Sequence, residues 1–409
     1  MKTIEGCITA PKGFKATGNF IGLKKAKKDL ACIASTKPAA AAGVFTTNLV
    51  KAAPVLWDME VLKRGAQGGT VSGIVINSGN ANACTGEKGM ADAKQMAALY
   101  AGLLGVSAEE VFVCSTGVIG VNLPMQVIEK GIPDTFKQLG ESAQDGQLAA
   151  EAIMTTDTFS KSIAVEIEIG GKTVRIGGIA KGSGMIHPNM ATLLGVITTD
   201  ASITHEMLQK ALTESCQDSY NMISVDGDVS TNDTMLALAN GLAENETITE
   251  EGSGYQTFKE ALHFVNRKLA IDIAKDGEGA TKLVEVTVSG ARTKEDARAI
   301  ARSVVSSSLF KSALFGADAN WGRVLCAMGY SGGFFNQADV QIVFRSSAGS
   351  ITLMERGNPI VFDEKSAKSI LSEAAIFVDI TLKDGDSSAT AWGCDLTYDY
   401  VKINGDYRS

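Results

Sequence analysis

The sequence predicts an α/β fold in which strands and helices mix without strict alternation, so a doubly wound parallel sheet is not expected. Three observations carry this. Short β-prone runs end in Gly, Asn or Ser. Longer segments space their apolar residues three and four apart. Several strand-like runs follow one another with no helix between them.

Residues 30–55 alternate apolar runs with an Ala-rich turn around Pro38. Ile74-Val75-Ile76 reads as a buried strand feeding an Asn/Gly loop over 77–86, residue types that tolerate left-handed dihedrals. Ala93, Met96, Ala97, Tyr100, Leu103 and Leu104 give 90–104 a helical face, and the strand 111–114 ends in Ser115-Thr116-Gly117. Runs 163–169 and 174–179 flank Gly170-Gly171, a hairpin pattern. Helical spacing recurs over 206–220 and 258–270, with an acidic, polar surface connection at 242–255. Leu283 onward alternates as a strand, and Thr293-x-x-Asp296 opens a helix to Val304. Strands at 340–344 and 376–382, a helix over 364–373, a turn at Asp384-Gly385 and a strand through Ala391-Trp392 complete the chain. We place a domain boundary near Gly290, giving a larger α/β domain over 1–290 and a smaller one over 291–409.

Lysine and arginine total 38 against 46 acidic residues, a net charge of −8, which argues against nucleic acid or an anionic membrane as partner. An anionic substrate would then need a local cation. Cys7, Cys32, Cys84, Cys114, Cys216, Cys326 and Cys394 are odd in number and never spaced Cys-x-x-Cys, so we expect small buried hydrophobes in a reducing cytoplasm. No signal-peptide core or membrane-length run is present in the sequence, and a cytoplasmic enzyme is expected. The only histidines are His187, His205 and His263. Catalysis by a histidine triad or a His-rich metal site would have to use one of them, and no metal is expected.

The stretch Lys181-Gly182-Ser183-Gly184-Met185-Ile186-His187-Pro188-Asn189-Met190-Ala191-Thr192 runs from an irregular loop into an apolar, β-prone segment. Thr192 stands where loop becomes strand, a junction able to hold a nucleophile still. On the residues alone, a threonine there is more often simply a β-former. The block resembles, without a gap, the self-cleavage segment of the ornithine acetyltransferase family, also called glutamate N-acetyltransferases. The similarity extends from about Gly13 to Ser409.

The resemblance implies stacked mixed sheets between helices, a fold shared with certain self-cleaving aminopeptidases, with the C-terminal tail reaching the active site. It implies cleavage between Ala191 and Thr192, after which the free threonine amine serves as base for its own hydroxyl. An α-amino group of pKa about 7.7–8.0 can do this without histidine. By matching blocks, Thr116 and Gly117 become oxyanion donors, and Thr155, Lys181, Thr192, Glu278, Asn404 and Ser409 become substrate contacts. Lys181 would meet a carboxylate and Glu278 an ammonium. The ordinary alternatives are turns, a surface lysine and a solvated loop acid. Asp226-Gly227-Asp228 and the block from Asp318 to Arg323 also match, with no role assigned beyond turns and helix ends. The sequence departs from the family pattern at Gly405, at Leu194-Gly195-Val196 and at Ser306-Ser307-Ser308.

The expected activity is acetyl transfer from N2-acetylornithine to glutamate through an acetyl-threonine, in arginine biosynthesis, by an assembly of two α and two β chains. Acetyl-CoA remains open as a co-substrate, and no cofactor is expected. A self-cleaving amidohydrolase or aminopeptidase and a non-catalytic metabolite-binding protein are the other two readings.

Overall fold

The computed structural model describes residues 1–65, 68–187 and 193–406. The chain forms two compact units: Met1–Gly182, Asn189–Gln217 and Val229–Leu269 make the first, and Ser183–Pro188, Asp218–Asp228 and Ala270–Ser409 the second. Gly290, our sequence-based junction, lies inside the strand Leu283–Ala291.

The sheet of the first unit runs Lys2–Ile4, Lys161–Ile169, Lys172–Lys181, Leu194–Thr199, Thr234–Ala239, Leu30–Phe45, Val71–Asn80, Val111–Val118, with Phe14–Asn19 also paired to Leu30–Phe45. It is mixed: Leu194–Thr199 is parallel to Thr234–Ala239 and antiparallel to Lys172–Lys181. The strand Leu30–Phe45 serves two sets of partners. Its first half pairs with Phe14–Asn19 and Val71–Asn80, its second with Thr234–Ala239. The register slips between Ala34 and Ala39, where Pro38 has no N–H to give the ladder. The expected hairpin is present, with Gly170 and Gly171 at φ 58° and 74°, the backbone that two-residue hairpin turns need. A large apolar cluster, including Phe14, Ile33, Ile74, Tyr100, Phe112 and Leu236, lies in this unit.

The sheet of the second unit runs Asn358–Pro359, Gly349–Glu355, Gln341–Ser346, Ala375–Thr381, Leu283–Ala291, Ser387–Cys394, Ile223–Ser224. The helix Lys294–Ser306 buries Ala297, Ile300, Ala301, Val304 and Val305, and Thr293 caps it by accepting the Asp296 N–H, as the sequence motif predicts. Both units are therefore α/β with mixed sheets, the class expected.

Several elements differ from the sequence reading. Ala53–Gly65, Met125–Phe136, Ala143–Ala152 and Tyr398–Gly405 are helices that it did not identify. Asn77 to Asn80 belong to the strand Val71–Asn80 and not to a loop, because their side chains satisfy the neighbouring turns. Asn77 Nδ2 donates to the Asn80 carbonyl at 2.9 Å, and Asn80 Nδ2 to the Val121 carbonyl at 3.0 Å. The strand Val111–Val118 likewise continues through Thr116 and Gly117. Cys84 and Cys326 are exposed, contrary to the expectation for all seven, while the other five cysteines are buried.

Candidate active site

Thr192, Ala191 and Ser409 lie outside the described residues. The other six site residues fall into two groups, one in each unit.

In the first unit, Gly79 stands opposite Gly117 in the parallel pairing of Val71–Asn80 with Val111–Val118, and Ser78 opposite Thr116. Gly117 has φ +137°, and a Cβ there would come within 2.3 Å of the Gly79 carbonyl carbon. Only glycine fits both the dihedral and the space. Ser115 Oγ donates to Asn77 Oδ1 at 2.5 Å, and Asn232 Nδ2 donates to the Ser115 carbonyl at 2.9 Å. The backbone around Thr116 is thereby held on both sides, as a fixed hydrogen-bond donor requires. A cavity of about 290 Å³ opens beside it, lined by Leu23, Gly79, Asn80, Val118 and Val121.

Thr155 and Lys181 are brought together by a residue that the sequence reading passed over, Asp157. Its side chain is 0 % exposed, and Lys161 Nζ, also fully buried, donates to Oδ1 at 2.7 Å. The Gly182 N–H donates to the same oxygen at 2.7 Å, and the Thr155 N–H to Oδ2 at 3.0 Å. Lys181 Nζ lies 4.0 Å from Oδ2. Burial alone would raise this carboxyl's pKa. The Lys181 and Lys161 ammonium groups, the Lys161 hydrogen bond and the Thr155 N–H outweigh it and hold the group well below the usual carboxylate range. One ionised carboxylate thus fixes the backbone of Thr155 and the Lys181–Gly182 corner. The sequence signal was an acid and a lysine four apart at the mouth of a strand, a spacing too common to single out.

In the second unit, Glu278 is buried and Asn404 Nδ2 donates to its Oε2 at 2.7 Å. The Glu278 N–H donates to the Ser183 carbonyl at 3.0 Å. Gly184, the second glycine of the motif, has a stated reason to be glycine: a Cβ there would lie 2.3 Å from Glu278 Cδ. Asp226 gains a role as well. It accepts the N–H groups of Met185 and Ile186 at 2.6 and 2.8 Å and so pins the turn at Met185, where φ is +57°. Asn320 caps the helix Trp321–Gly329, the helix-end role expected of its block. Two of the three departures from the pattern also have local reasons, while nothing lies within 4 Å of a Cβ built at Gly405. Ser307 caps the helix Ser308–Phe315, and a side chain at Gly195 would meet Met235 Sδ at 2.3 Å.

His187 Nδ1 lies 3.1 Å from Ser224 Oγ and 3.3 Å from Ser306 Oγ. Burial first, and the Arg302 guanidinium second, bring its pKa down to about 4, against the partial opposition of Asp226. His187 is therefore neutral at pH 7. Since the unfolded ring titrates near 6.5, its contribution to stability is complete above that pH. It is lost as pH falls from about 6.5 toward the folded value, because the unfolded chain takes the proton first. Thermal midpoints at pH 7 and pH 5 should show a fall in the wild type that His187→Gln reduces. An equal fall in both proteins would contradict this placement. His205, by contrast, is committed to structure, with Nδ1 2.6 Å from the Ala41 carbonyl oxygen.

Among the described residues, no helix is long and apolar enough to cross a membrane. The ArgJ family model matches residues 15–409. An arginine biosynthesis bifunctional protein ArgJ from Caldanaerobacter subterraneus subsp. tengcongensis is 53 % identical over 409 residues, covering all of both chains. The protein of the same name from Symbiobacterium thermophilum is 54 % identical over 413 residues, again covering all of both. A crystal structure of such a protein from Bacillus halodurans, 46 % identical, covers 51 % of this chain and 96 % of its own, with a TM-score of 0.48. The protein is an acyltransferase. More narrowly, the chain belongs to the ArgJ family.

Proposed function

We propose that the protein moves an acetyl group from N2-acetylornithine to glutamate, in two half-reactions, as a step of arginine biosynthesis. The Thr192 hydroxyl first attacks the Ala191 carbonyl, and the acyl shift from nitrogen to oxygen breaks the peptide bond and frees the threonine amine. Water then hydrolyses the ester, releasing the Ala191 carboxylate and restoring the hydroxyl. That amine then takes the hydroxyl proton as Thr192 Oγ attacks the acetyl carbonyl of the donor. Thr116 and Gly117 stabilise the oxyanion, the carbon–nitrogen bond breaks, and ornithine leaves with the proton. Glutamate's amine attacks the acetyl-threonine ester in the second half, returning the hydroxyl. Lys181 holds the α-carboxylate common to both amino acids, and Glu278 with Asn404 receives the side-chain end of ornithine. Acetyl-CoA would load the same threonine as a second donor, and two copies of each fragment would assemble as α2β2.

The observation that supports this reading best is the buried Asp157, which sets a lysine and a threonine at one corner of a chain whose net charge of −8 would otherwise repel carboxylates. The test is partition of the acetyl-enzyme. Added glutamate should speed turnover and yield N-acetylglutamate. Release of acetate at a rate indifferent to glutamate would instead make the protein a hydrolase.

A further inference from the structure

Lys24 is claimed by none of the roles assigned so far, yet it touches both parts of the first unit's site. Its loop is wound round Asp29, a buried carboxylate that accepts the N–H of Ile21 at 2.7 Å, Gly22 at 3.2 Å, Leu23 at 2.7 Å and Lys24 at 2.9 Å. Four backbone donors on one carboxylate leave the loop little freedom. The Lys24 stem is then laid against the strand Val71–Asn80: a Cβ at Gly79, itself at φ +101°, would lie 2.9 Å from Lys24 Cγ. Gly79 is the residue opposite Gly117. At the far end, Lys24 Nζ donates to the Met154 carbonyl at 2.9 Å. Met154 is the residue before Thr155, just past the helix Ala143–Ala152, where carbonyls lack helical partners. The ammonium is half-buried and within electrostatic range of Asp157 and Lys181, and burial lowers its pKa to about 8.

We propose that Lys24 is a positioning residue for acetyl transfer, acting through Thr155: its ammonium holds the Met154 carbonyl so that Thr155 faces the substrate from a fixed place beside the Gly79–Gly117 strand pair. Asp157 fixes the Thr155 N–H from one side, and Lys24 fixes the preceding peptide from the other. The proposal rests on the acetyl-transfer reading given above. It adds to that reading a residue that acts through another.

The test is a double-mutant cycle on kcat/KM for N2-acetylornithine with Lys24→Met and Thr155→Val. Lys24→Met alone should lower kcat/KM by roughly ten- to a hundredfold, the scale of a small misplacement of a substrate-binding group. In the Thr155→Val background the same change should cost less than about threefold, because the group through which Lys24 acts is already gone. Lys24→Arg, which can still donate to a carbonyl, should recover most of the rate and covers the case in which the methionine variant does not fold. Full additivity of the two changes, or an arginine variant as poor as methionine, overturns the role of Lys24. If wild type transfers acetyl and Thr155→Val costs nothing, the assignment of Thr155 falls, and that of Lys24 with it. Absence of transfer by the wild type itself would refute the underlying reading instead.

Discussion

Thr192→Ala is expected to remain a single full-length polypeptide and to lose acetyl transfer by a factor on the order of 10⁴ or more, the scale seen when an activated nucleophile is removed. Two losses coincide in one substitution. Without the hydroxyl there is no attack on the Ala191 carbonyl, so no free amine is made. Without either, the site has neither nucleophile nor base. Thr192→Ser keeps the hydroxyl and should still cleave, so comparison of the two variants separates chemistry from shape. Denaturing electrophoresis of the purified variants reads the first effect and a single-turnover assay the second. Two fragments from the alanine variant would place the cleavage chemistry on another residue.

Asp157→Ala should lower stability by about 3–5 kcal/mol, the range for removing one partner of a buried ion pair. The reason is specific: Lys161 is 0 % exposed, so its ammonium would lose its carboxylate partner in a place that water does not reach. For a chain of this size that corresponds to a fall in thermal midpoint of roughly 5 °C. The carboxylate is ionised in the folded state well below its unfolded pKa of about 3.9. Its stabilisation is therefore present above that pH and lost as pH falls below it, so wild type and variant should converge in acid. The milder Asp157→Asn keeps the shape but removes the counter-charge 4.0 Å from Lys181 Nζ. It should raise KM for N2-acetylornithine with the protein still folded at 25 °C. An unchanged midpoint and KM in both variants would mean that Asp157 organises nothing.

How much of this was legible in the sequence differs between elements. The hairpin at Gly170-Gly171 and the capped helix Lys294–Ser306 were clear, because turn and cap chemistry is local. The helices Ala53–Gly65 and Ala143–Ala152 were not identified. Ala143–Ala152 is rich in alanine, Ala53–Gly65 is not, but both have a weak apolar stripe, so their helicity depends on packing against the sheet. Asn77 to Asn80 looked like a loop because asparagine and glycine favour turns, but side-chain hydrogen bonds to nearby carbonyls let the strand continue.

The site was legible in a different way. Gly117 and Gly184 could be picked from the motif, but the reasons they must be glycine, the Gly79 backbone and the Glu278 carboxyl, lie 38 and 94 positions away in sequence. Long-range contact also hid Asp157. Its importance comes from three donors and a further ammonium, 4.0 Å away, that meet only in the folded chain. Nothing local marks such a residue, since an Asp and a Lys four apart are common on solvated helices.

The central claim is that acetyl passes through the hydroxyl of a threonine that has become a chain terminus. The most direct measurement is the intact mass of the purified protein before and after brief exposure to N2-acetylornithine without glutamate. Two polypeptides are expected, spanning residues 1–191 and 192–409, with only the second gaining one acetyl group and losing it when glutamate is added. An uncleaved chain that still turns over, or an acetyl group carried on residues 1–191, would contradict the mechanism.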